Sequence, residues 1–416
     1  MKYILTAPER INTTVDLPAS KSICNRALII NALAGGGVMP DNVSDCDDTR
    51  VIIDALRDMP EVIDIHAAGT AMRFMTAYLA VTPGSHLLTG TERMKRRPIK
   101  ALVDALRYIG ADIEYEGAEG YPPLRINGRR LDGGRLEMSG GISSQYVSAL
   151  LMVGPVLAGG LELKLTGEIV SRPYIDLTLC MMRFFGADVE WTDVDVIKVA
   201  PKPYEAKRFF IENDWSAASY WYEMLMLCKD TESEVTLTGL TDGSRQGDSA
   251  VRYLFSMLGI RTMFKTRERG VPTTVTLKRV ETKPPRMDYD FINQPDLAQT
   301  FVVTCALAGV PFRFRGLSSL KIKETDRIEA LKTEMRKLGY VLHETAAGEL
   351  SWDGERCEPA ADIVIKTYED HRTAMALAPA AMLFPGLKID DPQVVGKSYP
   401  HFWDDLRRAG FVIEEA

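Results

Sequence analysis

The fold is most legible in one stretch of sequence, Pro98-Ile-Lys-Ala-Leu-Val-Asp-Ala-Leu-Arg-Tyr-Ile-Gly110, which is followed by Ala111-Asp-Ile-Glu-Tyr115. A proline tolerated at the first helical position and a glycine just past the last apolar turn are typical of a helix. The alternating apolar and polar residues after Gly110 are typical of a strand. The stretch therefore predicts a helix that ends in a left-handed turn and continues as a strand.

This unit recurs six times along the chain. The other five copies cover residues 46–57, 173–186, 248–259, 324–339 and 400–410. The last five of the six copies end in glycines at intervals of 76, 73, 80 and 71 residues, namely Gly110, Gly186, Gly259, Gly339 and Gly410. A fixed period of this size indicates a repeated structural unit.

A second, more apolar helix is predicted before each copy and leads through a small-residue turn into a short strand. These helices are expected over residues 21–33, 70–81, 143–157, 215–227, 296–308 and 371–384. Three copies precede residues 201–213 and three follow them. The sequence therefore predicts an α/β (α+β) fold with domains over 19–212 and 213–416, the second completed by an N-terminal strand within 1–18. Strands in every unit argue against the alternative, an all-helical repeat array.

The composition excludes several protein classes. Apolar residues make up 46% and charged residues 26% of the 416 residues, as in globular proteins. A net charge of −7 argues against non-specific nucleic-acid binding. The six scattered cysteines form no C-x-x-C pair, so we expect neither a zinc site nor disulfides. No apolar run reaches the length of a membrane span or signal peptide, which predicts a cytoplasmic protein.

Basic residues recur where the predicted helices begin, and free N–H groups there already favour anions. Lys21, Ser22 and Arg26 open the first apolar helix, where a serine cap with solvated basic residues is the alternative. Residues 93–100 carry five positive charges around a helix start, although a surface patch would explain most of them. The recurrence predicts anion binding between two domains, because domain interfaces often hold ligands.

Lys323 and Arg327 are like charges four residues apart, which would destabilise an isolated helix by a few tenths of a kcal/mol. An anion is therefore expected between them, and Glu324 or Asp326 could fill that role. Asp296 is interpreted either as a helix N-cap or, among cations, as an ionised general base.

Weaker signals come from three other positions. The run from Ser143 to Gln145 follows two glycines at a helix start and suits phosphate or hydroxyl recognition, with plain capping as the alternative. Arg372 opens the last apolar helix after Asp370, and Lys397 lies in the final loop. The sequence contains no P-loop, no G-x-G-x-x-G after a strand and no H-E-x-x-H, so no ATP, NAD, zinc or other cofactor is predicted.

Together these motifs closely resemble the 5-enolpyruvylshikimate-3-phosphate synthase family. The matching runs are Leu17-Pro-Ala-Ser-Lys-Ser22, Ala68-Gly-Thr-Ala-Met-Arg73, Leu88-Thr-Gly90 with Arg93, Ser143-Ser-Gln145, Lys323-Glu-Thr-Asp-Arg327, Asp370-His-Arg372 and Lys397. They occur in order from residue 17 to residue 397. The resemblance implies two domains, each with three βαβαββ repeats in an inverse α/β barrel-like arrangement, that close on shikimate 3-phosphate and phosphoenolpyruvate.

The resemblance also implies site residues. Those implied for shikimate 3-phosphate are Lys21, Ser22, Arg26, Ser143, Ser144, Gln145, Ser171, Asp296, Ser319 and Lys323. Those implied for phosphoenolpyruvate are Lys21, Gly69, Arg93, Gln145, Arg327, Arg372 and Lys397. The implied reaction is addition followed by elimination, with Asp296 as base towards the 5-hydroxyl and Glu324, with Lys21, as acid towards the methylene carbon.

Two positions depart from the family pattern. Ala67 and Ser319 each stand where the family commonly has Asn, which puts one hydrogen bond to each ligand in question. Gly69 keeps the space that the family's inhibitor glyphosate uses. The resemblance further implies the shikimate pathway, which leads to chorismate and aromatic amino acids, and a monomer without nucleic-acid or membrane partners.

Two other functions are considered. The enolpyruvyl transferase of UDP-N-acetylglucosamine resembles this fold but typically carries a reactive loop cysteine, and no cysteine here lies in the basic loop of the second repeat. A non-catalytic anion sensor would need neither Asp296 nor Glu324.

Overall fold

The computed structural model describes residues 1–266, 268, 270–280, 282 and 284–416. Packing divides the chain into two compact units. The first unit is Ala19–Ile211, and the second unit combines Met1–Pro18 with Glu212–Ala416. Each unit buries its own apolar core.

The chain begins with two strands of the second unit, β1 (Lys2–Thr6) and β2 (Asn12–Asp16). The helices of the first unit are α1 (Lys21–Leu33), α2 (Asp47–Asp58), α3 (Gly69–Val81), α4 (Lys100–Tyr108), α5 (Ser144–Val153) and α6 (Arg172–Phe184). Its strands are β3 (Val62–Asp64), β4 (Gly84–Thr89), β5 (Asp112–Tyr115), β6 (Leu124–Gly128), β7 (Gly134–Ser139), β8 (Leu161–Thr166), β9 (Val189–Trp191) and β10 (Val196–Val199).

Two four-stranded sheets of the first unit share one topology, β3-β4-β6-β5 and β7-β8-β10-β9. In each sheet the first pair is parallel and the other two pairs are antiparallel. A parallel pair requires a crossover connection, which α3 and α5 provide. The chain order of strand, helix, strand, helix, strand, strand is the expected βαβαββ repeat.

The copy that contains α1 and α2 differs from the prediction. Within residues 19–211, all of which the structure describes, α1 leads into an isolated bridge between Asp41 and Phe210 and not into a strand. Gly35, Gly36 and Gly37 follow α1 with φ of 95°, 72° and 88°. These glycines form the turn after α1, and the described residues between that turn and α2 contain only the isolated bridge at Asp41.

The second unit continues the same plan. Its helices are α7 (Trp215–Leu227), α8 (Val251–Met257), α9 (Ala298–Leu307), α10 (Arg327–Lys337), α11 (His371–Leu377) and α12 (Phe402–Arg408). Its further strands are β11 (Glu234–Thr241), β12 (Ile260–Phe264), β13 (Pro272–Arg279), β14 (Met287–Asp290), β15 (Phe312–Arg315), β16 (His343–Ala346), β17 (Glu349–Trp352), β18 (Val364–Ile365), β19 (Leu387–Asp390) and β20 (Val412–Glu415).

Three sheets of the second unit have the orders β12-β13-β11-β2, β14-β15-β17-β16 and β18-β19-β1-β20. The first residues of the chain complete two of them. Strand β2 pairs in parallel with β11, and β1 lies between β19 and β20. Residues 1–18 thus contribute two strands where the sequence analysis expected one.

Two kinds of helix alternate within each unit. Every residue of α9 and of α11 is buried, whereas α4 buries only Leu102, Val103, Ala105 and Leu106. A helix that is apolar all round belongs inside a core, and an amphipathic one covers it. The buried helices carry most of the basic and polar residues of interest at their N-termini.

Prolines shorten several predicted helices. The helices expected over 143–157 and 371–384 are each an α-helix followed by a 3-10 turn, Gly154–Val156 or Ala378–Met382. Pro155 and Pro379 lie at the start of these turns and remove an N–H that the α-helix would need. The helix expected from residue 296 begins at Ala298, after the 3-10 turn Pro295–Leu297.

Candidate active site

The first site residue of the first unit, Lys21, opens α1. Its Nζ donates a hydrogen bond to Asp48 Oδ2 in the first turn of α2, at 3.0 Å. Asp48 is buried, and Ser22 beside Lys21 is partly exposed. Asp48 could not be recognised from the sequence, because an acidic residue in a first helical turn usually needs no explanation beyond the helix dipole.

Arg26 is a buried cation one turn further along α1. It donates to Thr178 Oγ1 at 2.7 Å, to Ser148 Oγ at 3.1 Å and to the carbonyl oxygen of Ser22 at 2.8 Å. These acceptors are neutral, and burial lowers the pKa of Arg26 to about 10. A buried cation held only by neutral groups favours an anionic ligand.

The starts of α5 and α3 are joined directly. Ser143 caps α5 by accepting a hydrogen bond from the Gln145 amide, and the Gln145 side chain donates to Thr70 Oγ1 at 3.1 Å. Ser144 is buried beside them. Ser171 precedes α6 in a left-handed conformation, with φ of 55°.

Gly69 is the first residue of α3 and lies directly against the guanidinium of Arg97. A Cβ atom at Gly69 would come within 2.6 Å of Arg97 Nη1. The space that the sequence analysis expected to be open is therefore filled by this side chain. Arg93, the predicted residue of the same loop, is exposed, whereas Arg97 is buried.

Arg327 holds the centre of the site residues in the second unit. Its Nε donates to Asp370 Oδ2 at 2.6 Å, its Nη1 to Asp296 Oδ1 at 3.0 Å and its Nη2 to Glu324 Oε2 at 2.9 Å. Its side chain is only 2% exposed. The surrounding carboxylates outweigh burial and raise the pKa of Arg327 above its ordinary value.

Asp296 is bound by three cations. Besides Arg327, Arg372 Nη2 donates to Asp296 Oδ2 at 3.0 Å, and Lys323 Nζ lies 3.7 Å from Oδ1. Burial alone would raise the pKa of Asp296, but Arg372, Lys323 and Arg327 hold it well below its usual range. The side chain bonds across the unit, so the capping alternative is wrong.

Glu324 is the second carboxylate among these cations. Its Oε1 accepts a hydrogen bond from Lys397 Nζ at 2.8 Å, while Oε2 accepts the one from Arg327. Lys397 is buried at the end of the 3-10 turn Pro392–Lys397. Ser319 lies partly exposed in the turn Ser318–Ile322.

The predicted helix over 324–339 begins later than expected. Asp326 is its N-cap and Arg327 its first residue, so Lys323 lies outside it. Asp296, from a distant part of the chain, pairs with both Lys323 and Arg327, and the expected partner Glu324 also pairs with Arg327. Sequence spacing identified the two cations and could not reveal a partner brought in by the fold.

Asp248 is a buried carboxyl that the sequence analysis missed. It is 1% exposed, and its Oδ2 accepts a hydrogen bond from Ser216 Oγ at the start of α7. Burial, opposed by Arg372 and reinforced by Asp296, raises the pKa of Asp248 to about 6. Asp248 therefore loses its proton at a higher pH than an ordinary aspartate does.

A family model described as EPSP synthase (3-phosphoshikimate 1-carboxyvinyltransferase) matches residues 5–64 and 58–406. The chain belongs to the EPSP synthase family. A 3-phosphoshikimate 1-carboxyvinyltransferase of Bacteroides fragilis is 60% identical over 414 residues, which are 100% of this chain and 99% of the relative. The enzyme of that name from Mannheimia succiniciproducens is 35% identical and covers 97% and 98% of the two chains.

Solved structures agree on the fold. An EPSP synthase from Acinetobacter baumannii superposes with a TM-score of 0.75 at 19% identity, covering 100% of both chains. The enolpyruvyl transferase NikO from Streptomyces tendae gives 0.74 at 17%, covering 100% of this chain and 98% of its own. At these identities the likeness establishes the fold alone. No helix among the described residues is long and apolar enough to cross a membrane.

Proposed function

We propose that this chain transfers the enolpyruvyl group of phosphoenolpyruvate to the 5-hydroxyl of shikimate 3-phosphate and releases phosphate. This is a step of the shikimate pathway towards chorismate and the aromatic amino acids. One observation carries the proposal beyond family membership. In the second unit four cations surround two carboxylates, so groups able to bind phosphoenolpyruvate already contact groups able to move protons.

The proposed ligand assignment follows the family pattern. Shikimate 3-phosphate is assigned to Lys21, Ser22, Arg26, Ser143, Ser144, Gln145, Ser171, Asp296, Ser319 and Lys323. Phosphoenolpyruvate is assigned to Lys21, Gly69, Arg93, Gln145, Arg327, Arg372 and Lys397. The neutral surroundings of the buried Arg26 support an anion at the first set, because its charge has only hydroxyl and carbonyl acceptors.

The reaction begins with an exchange of ion pairs. The carboxylate and phosphate of phosphoenolpyruvate compete with Asp296 and Glu324 for Arg327, Arg372 and Lys397. As the cations turn to the substrate, the pKa of Asp296 rises from its depressed value, because the charges that lowered it are partly neutralised. Substrate binding thereby converts a poor base into a competent one.

The reaction then proceeds by addition and elimination, and the proton added to C3 in the first step is matched by a proton lost from C3 in the second. The 5-hydroxyl oxygen attacks C2 of phosphoenolpyruvate while Asp296 accepts the hydroxyl proton and Glu324, with Lys21, supplies a proton to C3. The tetrahedral adduct loses phosphate from C2 and a proton from C3, which forms the enol ether. The cations stabilise the charge on the departing phosphate, and they offset the repulsion between the two anionic substrates.

The two departures from the family pattern leave this assignment intact. Ala67 is exposed just before α3, and Ser319 retains a hydroxyl in a partly exposed turn. Neither position carries a charge in the family pattern or here. We therefore propose that both change substrate affinity and leave the chemistry in place.

A monomer in the cytoplasm, working without a cofactor, completes the proposal. Light scattering of the purified protein measures the oligomeric state directly.

The test mixes the protein with both substrates and follows inorganic phosphate. Phosphate should appear only when both substrates are present. Tight binding of both without phosphate release would instead support the anion sensor. Release that requires UDP-N-acetylglucosamine in place of shikimate 3-phosphate would support the related transferase.

A further inference from the structure

The backbone just before α11 adopts an uncommon conformation. Tyr368 and Glu369 both have φ of 56°, in the left-handed region that favours glycine. The Asp370 amide donates to the Thr367 carbonyl at 2.9 Å, which closes a turn over residues 367–370. Two successive residues with side chains persist in this region only where surrounding contacts hold them. The 367–370 turn therefore depends on contacts from elsewhere in the fold.

Glu334 of α10 supplies such contacts from a fully buried position. Its Oε1 accepts a hydrogen bond from the Tyr368 hydroxyl at 2.6 Å, and its Oε2 accepts one from the Lys366 amide at 3.2 Å. Lys337 Nζ donates to the same Oε2 at 2.6 Å and to the Val364 carbonyl at 2.9 Å. One buried carboxylate thus holds both the turn and the strand β18 that precedes it.

The 367–370 turn leads directly into the site residues of the second unit. Asp370, its last residue, accepts a hydrogen bond from Arg327 Nε at 2.6 Å. Asp370 also caps α11 by accepting a hydrogen bond from the Arg372 amide at 2.9 Å. The Arg372 side chain then reaches Asp296 Oδ2 at 3.0 Å. A change in the backbone of the turn would therefore move Asp370 and Arg372 together.

Helix α10 connects the two ends of this arrangement. Arg327 and Glu334 are seven residues apart, so they lie on one face of the helix, two turns from each other. This separation corresponds to roughly 10 Å along the helix axis. Arg327 extends from the start of the helix, whereas Glu334 acts on the backbone that carries Arg372. The same helix thus positions one proposed substrate-binding cation directly and a second one through the turn.

We propose that Glu334 and Tyr368 are positioning residues for phosphoenolpyruvate binding. Their hydrogen bond holds the 367–370 turn and thereby the direction of the Arg372 side chain. This inference rests on the proposed function, since Arg372 belongs to the proposed phosphoenolpyruvate set. Without the hydrogen bond, Tyr368 and Glu369 relax towards negative φ, and Arg372 loses its alignment with the substrate.

The experiment compares Tyr368→Phe with Tyr204→Phe. Each change removes one hydroxyl and keeps the ring, but the Tyr204 hydroxyl donates to the buried Met152 carbonyl of the first unit, at 2.8 Å. We expect Tyr368→Phe to raise the KM for phosphoenolpyruvate at least about threefold, as loss of one hydrogen bond does. The KM for shikimate 3-phosphate should change by less than about twofold, and Tyr204→Phe should change neither KM beyond that range. An unchanged KM for phosphoenolpyruvate in Tyr368→Phe, or equal rises in both KM values, would overturn the inference.

Glu369→Gly tests whether the hydrogen bond acts through the backbone. Glycine adopts positive φ without steric cost, so it favours the turn even when the Tyr368 hydroxyl is absent. Glu369 is exposed, which makes its side chain suitable for removal. The double variant Tyr368→Phe/Glu369→Gly should therefore have a KM for phosphoenolpyruvate within about twofold of wild type. A double variant no better than Tyr368→Phe would contradict an effect exerted through the turn.

Glu334→Gln tests the other partner of the hydrogen bond. The amide has a single acceptor oxygen, so it cannot accept from both Tyr368 and Lys366. Glu334→Gln should also raise the KM for phosphoenolpyruvate. Combined with Tyr368→Phe, it should raise this KM by less than the product of the two separate factors, because both changes weaken one shared contact. A rise equal to that product would show that the two residues act independently.

Failure of the proposed function gives a different result, because the wild-type protein would then show no turnover. Calorimetric titration with phosphoenolpyruvate alone would still decide the inference, by comparing wild type, Tyr368→Phe and Tyr204→Phe. Tyr368→Phe should bind at least about threefold more weakly than both others. Equal affinities, or no binding by any of the three proteins, would overturn the inference.

Discussion

Asp296 combines two conflicting properties. It is the proposed proton acceptor, yet contacts with Arg327, Arg372 and Lys323 hold its pKa well below the usual range. A base this weak would transfer protons poorly. In the proposed mechanism an anionic substrate binds these cations and so removes the conflict, which makes substrate binding and activation of the base one event.

Replacing Asp296 by Asn should separate binding from turnover. The kcat should fall at least about 100-fold, the range expected for loss of a general base, because the amide cannot accept the hydroxyl proton. The KM for phosphoenolpyruvate should not rise, since the competing carboxylate is gone. Steady-state kinetics and titration with shikimate 3-phosphate measure both effects.

Asp288→Asn is the matched control for that change. Asp288 is an exposed aspartate on β14 that pairs with Arg286, outside the cation cluster. The kcat of the Asp288→Asn variant should equal that of the wild-type protein. Turnover surviving in Asp296→Asn would mean that another group is the base.

The raised pKa of Asp248 predicts that the stability of the folded protein depends on pH. Burial raises its folded pKa to about 6, against 3.8 ordinarily, so the folded state binds the extra proton between these values. A raised carboxyl pKa adds stability at low pH that is lost as the pH rises through about 6. Asp248→Asn cannot ionise, and relative to wild type it should gain up to about 3 kcal/mol between pH 4 and pH 7.5.

Urea unfolding of Asp248→Asn and wild type at the two pH values measures this difference. Asp353→Asn, at an exposed aspartate paired with Arg286, is the control and should show little pH-dependent gain. A stability difference between Asp248→Asn and wild type that stays constant with pH would contradict the raised pKa.

The residues predicted from sequence were those whose charge conflicts with their local setting. Lys323, Arg327, Arg372 and Lys397 were recognisable because cations near helix starts need a reason. Asp248 and Arg97 were not recognisable, since an acid at a helix start and an arginine in a basic loop look ordinary. Their significance comes from burial and from contacts with distant residues, which spacing does not encode.

At the scale of elements, the start of α10 positions Arg327. Asp326 caps this helix by accepting hydrogen bonds from the Ile328 and Glu329 amides, both at 3.1 Å. Arg327 follows as the first helical residue, and its guanidinium bonds three carboxylates. The cap therefore fixes the backbone from which the central cation of the second unit extends.

Asp326→Ala should lower the free energy of unfolding by about 1 kcal/mol, the usual effect of losing such a cap. Asp326→Asn keeps a capping oxygen and should lose less than half as much. Denaturant unfolding compares the two variants. Equal losses in both would show that charge, and not capping, stabilises this turn.

Element types were more predictable than element boundaries. The α1 and α7 bounds follow directly from sequence, and the six-fold alternation of buried and covering helices was legible from apolar content. The 3-10 turns at Pro155, Pro295 and Pro379 could not be predicted from the sequence. A proline near a helix end is compatible with either an α-helical or a 3-10 hydrogen-bond pattern, and packing decides between them. The strand predicted after α1 is reduced to an isolated bridge between Asp41 and Phe210, a pairing between distant residues that the local sequence pattern does not encode.

At the scale of the whole molecule, both units use the same structural arrangement. Buried helices direct their N-termini, with basic or hydroxyl side chains, to the sites proposed for the substrates. In the first unit Arg26 is surrounded by neutral acceptors, whereas in the second the cations are paired with carboxylates. The first set suits binding of an anion, and the second suits binding coupled to proton transfer.

The most direct test of enolpyruvyl transfer is a phosphorus NMR spectrum of the protein with equimolar shikimate 3-phosphate and phosphoenolpyruvate. If the chain transfers the enolpyruvyl group, the phosphoenolpyruvate signal is replaced by inorganic phosphate one for one, while a phosphate monoester signal persists at a shifted position. Loss of the 3-phosphate, or unchanged signals from both substrates while both are bound, would contradict it.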